Sequence, residues 1–410
     1  MTASCTERDS GGGSGTARLG MTALCLALAV LPLAAPAPAQ TQFELDYPAI
    51  ARKIVERLDL EPGERVLSVK PPGDRFDALV PHLRYEVMRA GGVDLGVVET
   101  LAEPLPPRWD TEVLGAGSRA AFEAYRAMFD TVDVGIMLPG ASPAHPAYAA
   151  LQSLLVAGTG RRAVHFHWHG AGPSASATPL PGQPLPGTVA IDAVYQRALL
   201  DTDYEVLARV QRRFVEAMRR GEVRVTTPLG TDLRFSIGDR PVTTQDGDAS
   251  RRQAEAGVVL IDREIELPAG AIRVAPLEET VHGTVAFPPS QWAGLPVEGL
   301  VLRFERGRVT EIQARSGREA VLEEMETAGE AARSFRELAL GFNPLLAVPE
   351  REAWVPYYGY GAGVVRLSLG DNSELGGMVR GGYVRWNFFP DATVSVGGQV
   401  WVSHGRLAEP

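Results

Sequence analysis

Between residues 47 and 168 the apolar positions switch repeatedly between helical spacing and short continuous runs. Ile50, Ile54, Val55 and Leu58 lie three to four residues apart and predict one buried face of a helix over 47–58. Glu61-Pro62-Gly63 then reads as a turn, and 65–69 as a short buried strand. The same pairing recurs: helix over 76–89 with strand 93–98, helix 120–129 with strand 132–138, helix 146–155 with strand 163–168. Such alternation predicts an α/β domain, a mostly parallel sheet with helices on its faces. No G-x-G-x-x-G follows the first strand, so a dinucleotide site gains no support.

The pattern then changes. Residues 171–187 are rich in Pro, Gly, Ser and Ala and read as a surface loop. Val206, Val210, Phe214 and Met218, four apart, mark an amphipathic helix over 203–219. Beyond Gly221 strand-like runs dominate, at 223–227, 233–237, 258–265, 271–275, 283–287, 299–305 and 308–314, with one helix over 318–327. The expectation is an N-terminal α/β domain over 40–220 and a β-rich α+β domain over 221–410.

Composition alters this picture at the N-terminus. Arg18 precedes an apolar stretch from Met21 to Ala35, and Ala37-Pro38-Ala39 offers a small-x-small cleavage site. Residues 1–39 therefore read as a secretory signal peptide, with Met1 or Met21 as the start, and the expected location is periplasmic or secreted. Cleavage leaves 371 residues and removes both cysteines, Cys5 and Cys25, so disulfides and thiol nucleophiles are excluded. The net charge of −10 argues against nucleic acid as a partner. Of 40 basic residues only Lys53 and Lys70 are lysines, which reads as genomic bias.

Two regions carry candidate chemistry. In His165-Phe166-His167-Trp168-His169, alternation puts three imidazoles on one strand face, neighbours about 6.5 Å apart and the outer pair about 13 Å. Two of them can chelate a metal; a straight strand cannot bring all three to one ion. Glu278, Glu279 and His282 cluster on a predicted turn, where solvated charge is the simpler explanation. Asp371 and Glu374 either approach the second region or cap a Gly-rich loop, and Tyr357, Tyr358 and Tyr360 read as packing residues among glycines. No Gly-x-Ser-x-Gly elbow is present.

The second region is a series of motifs in fixed order. Thr226-Thr227-Pro228-Leu229-Gly230-Thr231-Asp232-Leu233 comes first, then Leu267-Pro268-Ala269-Gly270-Ala271-Ile272-Arg273. Arg336-Glu337-Leu338-Ala339-Leu340-Gly341-Phe342-Asn343-Pro344, Val365-Arg366-Leu367-Ser368-Leu369-Gly370 and Val384-Arg385-Trp386-Asn387 follow. Together with the Glu61-Pro62-Gly63-Glu64-Arg65-Val66 turn, they resemble the dinuclear-metal aminopeptidases of the aminopeptidase T and S type. The family's motifs read Leu-Pro-x-Gly-Glu-Val, Gly-Glu-x-Ala-Leu-Gly, His-x-Ala-x-Gly and His-x-Asp, and their Glu, Glu, His, His and Asp hold two ions that activate water. Carried over, these five positions are Ala271, Glu337, Arg366, Arg385 and Asn387; a family Tyr falls near Ser373.

Only Glu337 keeps the family's residue type. Alanine offers no donor, and arginine offers only N–H groups and positive charge. The resemblance thus implies the fold, and a homodimer, but no bound metal. Arg366 and Arg385 with Glu337 between them, and Arg273 nearby, suggest a seat for a peptide carboxylate or small anion, or else a buried ion-pair cluster. The functional expectation is an aminopeptidase-like pseudoenzyme that binds a peptide or small anionic ligand. The alternative is an active metallohydrolase with a rearranged Zn, Co or Mn site built from Glu337, His165, His167 and His169. Extradiol-type dihydroxypyridine dioxygenases resemble the same fold, but their iron also requires a His-x-Asp.

Overall fold

Asp46 caps the first helix by accepting from the Ala49 amide, and Ile50, Ile54, Val55 and Leu58 bury one face of α1 (Tyr47–Leu58). This is the start of a computed structural model that describes residues 43–101, 106, 108–141, 145–157, 160–169 and 177–408. The predicted signal peptide lies outside the described residues. After α1 come β1 (Arg65–Lys70), α2 (Val80–Arg89), β2 (Val93–Glu99), α3 (Thr111–Met128), β3 (Val134–Met137), α4 (Pro146–Ala157) and β4 (Arg162–Phe166). The alternation is as expected. The helix foreseen over 76–89 is split into a 3-10 turn, Arg75–Ala78, and α2, because Pro81 sits in the first turn of α2.

The strands pair in parallel in the order β2-β1-β3-β4, and a fifth strand, from far along the chain, completes the sheet. Before it lie α5 (Thr188–Leu200), a helix that the sequence pattern did not reveal, and α6 (Tyr204–Arg220). The interior of α5 carries Ile191, Tyr195, Ala198 and Leu199, yet its apolar residues are too evenly spread to leave a polar stripe. Next come β5 (Val242–Gln245), α7 (Arg251–Ala256) and β6 (Glu264–Leu267). Strand β6 is the fifth member, parallel to β4.

Leu267-Pro268-Ala269-Gly270 then carries the chain directly into β7 (Ala271–Val274) of a second sheet. That sheet is antiparallel, in the order β10-β9-β8-β7-β5, with β8 (Phe335–Gly341), β9 (Val365–Gly370) and β10 (Val384–Phe389). A third, eight-stranded sheet includes Val223–Thr226, Asp232–Phe235, His282–Ala286, Val301–Glu305 and Arg308–Gln313, and α8 (Arg318–Ala328) precedes β8. The β-rich second half is as anticipated, although the run at 258–265 divides into a 3-10 turn and β6.

The change of pattern at Gly221 coincides with the end of α6. The two halves nevertheless share material: β6 belongs to the first sheet, and one apolar cluster runs from Ile50 through Phe214 and Ile272 to Val402. Phe43–Pro410 is one compact unit. The short link 268–270 therefore places the C-terminal edge of the parallel sheet beside one face of the second sheet.

Candidate functional site

Directly opposed residues of antiparallel strands share a face. One row across the second sheet reads Arg273, Ala339, Arg366 and Phe388; the next holds Glu337, Ser368 and Trp386. Ala339 is small, so the guanidiniums on either side of it can converge on Glu337 of the same strand. Arg273 donates from Nε at 3.2 Å and Nη2 at 3.1 Å to Glu337 Oε2. Arg366 donates from Nε at 3.2 Å and Nη2 at 2.9 Å to Oε1, which also accepts from Ser368 Oγ at 3.2 Å. Glu337 is 0% exposed and Arg366 1%. Burial alone would raise the Glu337 pKa, but Arg273, Arg366 and Arg336 overcome it and hold the carboxyl well below the usual carboxylate range.

Around this centre lie further charges. Glu374, on the turn Ser373–Leu375, accepts from Arg273 Nη2 at 3.0 Å and from Arg336. Asp371 accepts from the amides of Ser373, Gly381 and Gly382. The two alternatives foreseen for this pair thus divide: Glu374 reaches the site and Asp371 caps the loop. Glu278 instead serves the loop, accepting from Asn372 and the Met378 amide. Arg366 Nη1 donates to the Tyr358 carbonyl at 3.1 Å, and its guanidinium stacks 4.7 Å from the Trp386 ring. Tyr357 and Tyr358 both have positive φ, 35° and 53°, and are buried, so this segment is a constrained wall.

Arg385 corrects one expectation. It opposes Leu369, and Asn387 opposes Leu367, so both project from the face opposite Arg366 and Glu337. Arg385 instead stacks on Trp292 at 3.6 Å, donates to Glu324 at 2.8 Å and to the Gln291 carbonyl at 2.7 Å. Asn387 donates to the Leu367 carbonyl. Arg366 and Arg385 therefore do not converge on a common anion. The period-2 alternation of β10 was available in the sequence, but the register against β9 was not.

The histidine strand also divides. His165 and His167 are near one another, with ring centroids 5.6 Å apart, while His169 lies near Arg75 and Asp192. Strand β4 ends at Phe166, so His167 and His169 lie beyond its regular alternation. Tyr148 is hydrogen-bonded to the His165 ring at 2.9 Å, and His167 packs edge-on to Tyr358. Burial pushes the pKa values of both His165 and His167 down to about 4, so they are neutral at pH 7. Ala271 faces Gln245 and Gly341 and lies next to no charge of its own strand but Arg273.

Two residues not singled out by sequence complete the layer. In Glu264-Ile265-Glu266-Leu267 the acids alternate with apolar residues inside a mostly buried strand, a signal of buried carboxylates. Glu264 accepts from Gln152 at 2.9 Å, and burial, against that bond, raises its pKa to about 8. Glu266 lies 3.9 Å from Arg273; burial opposes its ionisation, but His167 and Arg273 bring its pKa below the ordinary value. The arrangement is a closed layer of ion pairs with one proton-bearing carboxyl at physiological pH. Among the described residues, no group of three or more His, Cys, Asp or Glu is arranged to hold a metal ion.

A cavity of about 1150 Å³ adjoins this layer at the free edge of β10. Trp386 is the shared wall, touching Arg366 on one side and lining the cavity. Tyr358, packed 5.4 Å from Trp386, links it to the histidine strand.

Comparison with known proteins agrees with the resemblance read from the motifs. Residues 204–345 match the family described as thermophilic metalloprotease (M29). Among solved structures, the fold is similar to wild-type AmpT from Thermus thermophilus, with a TM-score of 0.58 and 19% identity over 88% of this chain and 100% of that one. It is also similar to 2,5-dihydroxypyridine dioxygenase from Pseudomonas putida KT2440, with a TM-score of 0.57 and 16% identity over 89% of this chain and 97% of that one. No curated protein matches the sequence. At these identities the structural likeness is one of fold.

Proposed function

From a chain whose residues 204–345 carry the M29 family signature, we propose a binding protein on a metallopeptidase scaffold, without the family's metal-dependent hydrolysis. The observation that carries this reading is the saturation of Glu337 by Arg273, Arg366 and Ser368. Two divalent ions bring four positive charges and require charge-bearing oxygen or imidazole donors. Ala271 supplies no donor, Arg366 supplies only N–H groups, and Arg385 and Asn387 face away from Glu337. The residues present do not fit such a centre.

The ligand site in this reading is the cavity beside β10, and its occupant is a peptide or small molecule. The seat for an anion foreseen between Arg366 and Arg385 finds no support in their geometry, since each is already paired with its own carboxylate. The rearranged metal site is equally disfavoured: Glu337 has no free lone pair to offer, and His169 lies away from His165 and His167. Export by the leader sequence belongs to the same proposal.

The test is elemental analysis and leucine p-nitroanilide hydrolysis by untagged protein, as purified and after addition of Zn, Co or Mn. The expected result is substoichiometric metal and no turnover. Stoichiometric metal, removed by a chelator together with aminopeptidase activity, would overturn the reading. Amino-terminal sequencing of protein recovered outside the cytoplasm checks export, with Gln40 as the expected first residue.

A further inference from the structure

Strand β10 closes the second sheet: it pairs with β9 on one side and, among the described residues, with no strand on the other. The Asp371 amide donates to the Tyr383 carbonyl at 2.8 Å, so the backbone polar groups of Tyr383 point toward β9. Alternation then turns those of Arg385, Asn387 and Phe389 the same way, and those of Val384, Trp386 and Phe388 outward. No hydrogen bond among the described residues reaches these three outward N–H and C=O pairs.

An edge of this kind is a template for another strand, and proteins commonly blunt it with lysine, proline or a bulge. The six residues from Val384 to Phe389 contain neither lysine nor proline, and their register against β9 is unbroken. The one charge, Arg385, donates from the opposite face to Glu324 and the Gln291 carbonyl, and its buried Nε has no surface in the cavity. The outer strand Arg308–Gln313 of the third sheet, by contrast, carries Arg308 and Glu311 and a register shift against its neighbour.

The open edge of β10 faces the apolar cavity, and every residue from Val384 to Asp391 lines it. At strand rise that stretch is about 23 Å long, the span of an extended segment rather than of one small ligand. Two segments flank it. Phe287-Pro288-Pro289 is anchored by Phe287 against Phe389 at 6.0 Å, and Thr178-Pro179-Leu180 by a short ladder with Trp354–Val355. The space is thus a slot with hydrogen-bonding groups along one side and apolar side chains on its walls. Its complement is an extended backbone carrying apolar residues. Asp391 stands at one end and has no ion-pair partner among the described residues, so its charge favours a basic residue there.

We propose that the free edge of β10 takes up an internal, extended apolar segment of another polypeptide as an added strand, with a basic residue beside Asp391. This rests on the reading of the cavity as the ligand site and names its occupant. Recognition runs through backbone groups along the edge and uses neither a free amino terminus nor a scissile bond.

The test is isothermal titration of the full mature chain with acetyl-Lys-Val-Tyr-Val-Phe-Val-Lys amide, blocked at both ends, with its counterpart carrying Gln for both Lys, and with 2-naphthol as a small flat probe. The Lys peptide is expected to bind and to slow amide exchange over 384–389, read by mass spectrometry. Val384→Pro removes one outward N–H without touching the ladder to β9, and should weaken the peptide about fivefold, the size of one hydrogen bond. Val384→Ala keeps that N–H and should have the smaller effect. Asp391→Asn should weaken the Lys peptide about threefold and spare the Gln peptide.

Peptide binding without slowed exchange at 384–389, or with equal effects of Val384→Pro and Val384→Ala, overturns strand addition. Equal loss for both peptides in Asp391→Asn overturns the role of that residue. Binding of 2-naphthol that is lost in Trp386→Ala, with no binding of either peptide, overturns the proposal and leaves the cavity reading standing. A dimer in sedimentation whose 384–389 amides are already slow to exchange makes a second copy the occupant and likewise overturns it. Binding of none of these probes by a monomer overturns both the proposal and the cavity reading.

Discussion

Replacing Glu337 with glutamine keeps the volume and removes one negative charge from the centre of the second sheet. The carboxylate accepts five hydrogen bonds, from Arg273, Arg366 and Ser368. An amide presents one oxygen and one NH2, so in either orientation one guanidinium meets donors in place of an acceptor. Neither arginine can deprotonate, and at 5% and 1% exposure neither reaches water easily. Breaking a buried pair in this way costs about 3–5 kcal/mol. Adding Arg366→Met removes the surplus charge, so the double variant should recover about 1–3 kcal/mol relative to the sum of the single effects. Urea unfolding followed by circular dichroism at pH 7, with variants compared at one urea concentration, measures both quantities. The Glu337 pKa is depressed in the fold, so its stabilisation is present above the unfolded value near 4.5 and is lost as pH falls toward the folded one. The gap between wild type and Glu337→Gln must therefore narrow on acidification below about pH 4.5. A Glu337→Gln cost under about 1 kcal/mol, or strict additivity with Arg366→Met, would refute the reasoning.

Other outcomes follow from the same layer. Glu264 has its pKa raised from 4.5 to about 8, so its contribution is full below 4.5 and is lost as pH rises toward 8. His165 and His167 have theirs lowered from 6.5 to about 4, so they destabilise the fold as pH falls from 6.5 toward 4. Together these groups place a stability maximum near pH 6.5, and Glu264→Gln, which still accepts from Gln152, should flatten the decline between 6.5 and 8 in thermal melts; an unchanged decline counts against the burial of that carboxyl. Gly341→Ala would put a Cβ 2.0 Å from the Gly361 carbonyl oxygen, so a loss at or above the upper end of about 1–3 kcal/mol is expected in urea, and an unchanged midpoint contradicts the packing. Arg385→Met forfeits the Glu324 pair and the Trp292 stack and should cost about 1–2 kcal/mol, read by the same unfolding assay, with no coupling to Glu337→Gln because the two lie on opposite faces.

The parallel sheet was legible because each α-β pair has its own local periodicity: Ile50 to Leu58, and the runs at β1, β3 and β4, need no knowledge of distant residues. Helix α5 escaped because its apolar residues cover more than one face, and β6 was merged with the preceding turn because Val258 and Ile261 extend the apolar run without belonging to the strand. At the site, residue types were informative and their directions were not. Arg366 and Glu337 were brought together as anticipated, but Arg385 was placed beside them on motif order alone. A one-residue difference in strand register turns a side chain to the other face, and register is set by pairing across the sheet. Glu266 and Glu374 joined the network through the link at 268–270 and the turn at 373–375, long-range placements that local pattern suggested but could not fix.

The buried layer carries its own charge balance. Arg273, Arg336 and Arg366 meet Glu266, Glu337 and Glu374, while burial leaves His165 and His167 neutral and Glu264 protonated. Positive and negative charges are thus already equal without any ion. In the proposed reading, a centre of two divalent cations would add four positive charges to a layer whose one uncommitted carboxyl is the protonated Glu264. Removing one arginine would not restore such a centre either, since it would leave the acids and the wall around Tyr358 without the donor that holds them. Arg366 also backs Trp386, so the cation that balances Glu337 helps to shape the cavity next door. At position 366 a shorter or uncharged residue would satisfy at most one of these two roles, the ion pair with Glu337 and the stack on Trp386.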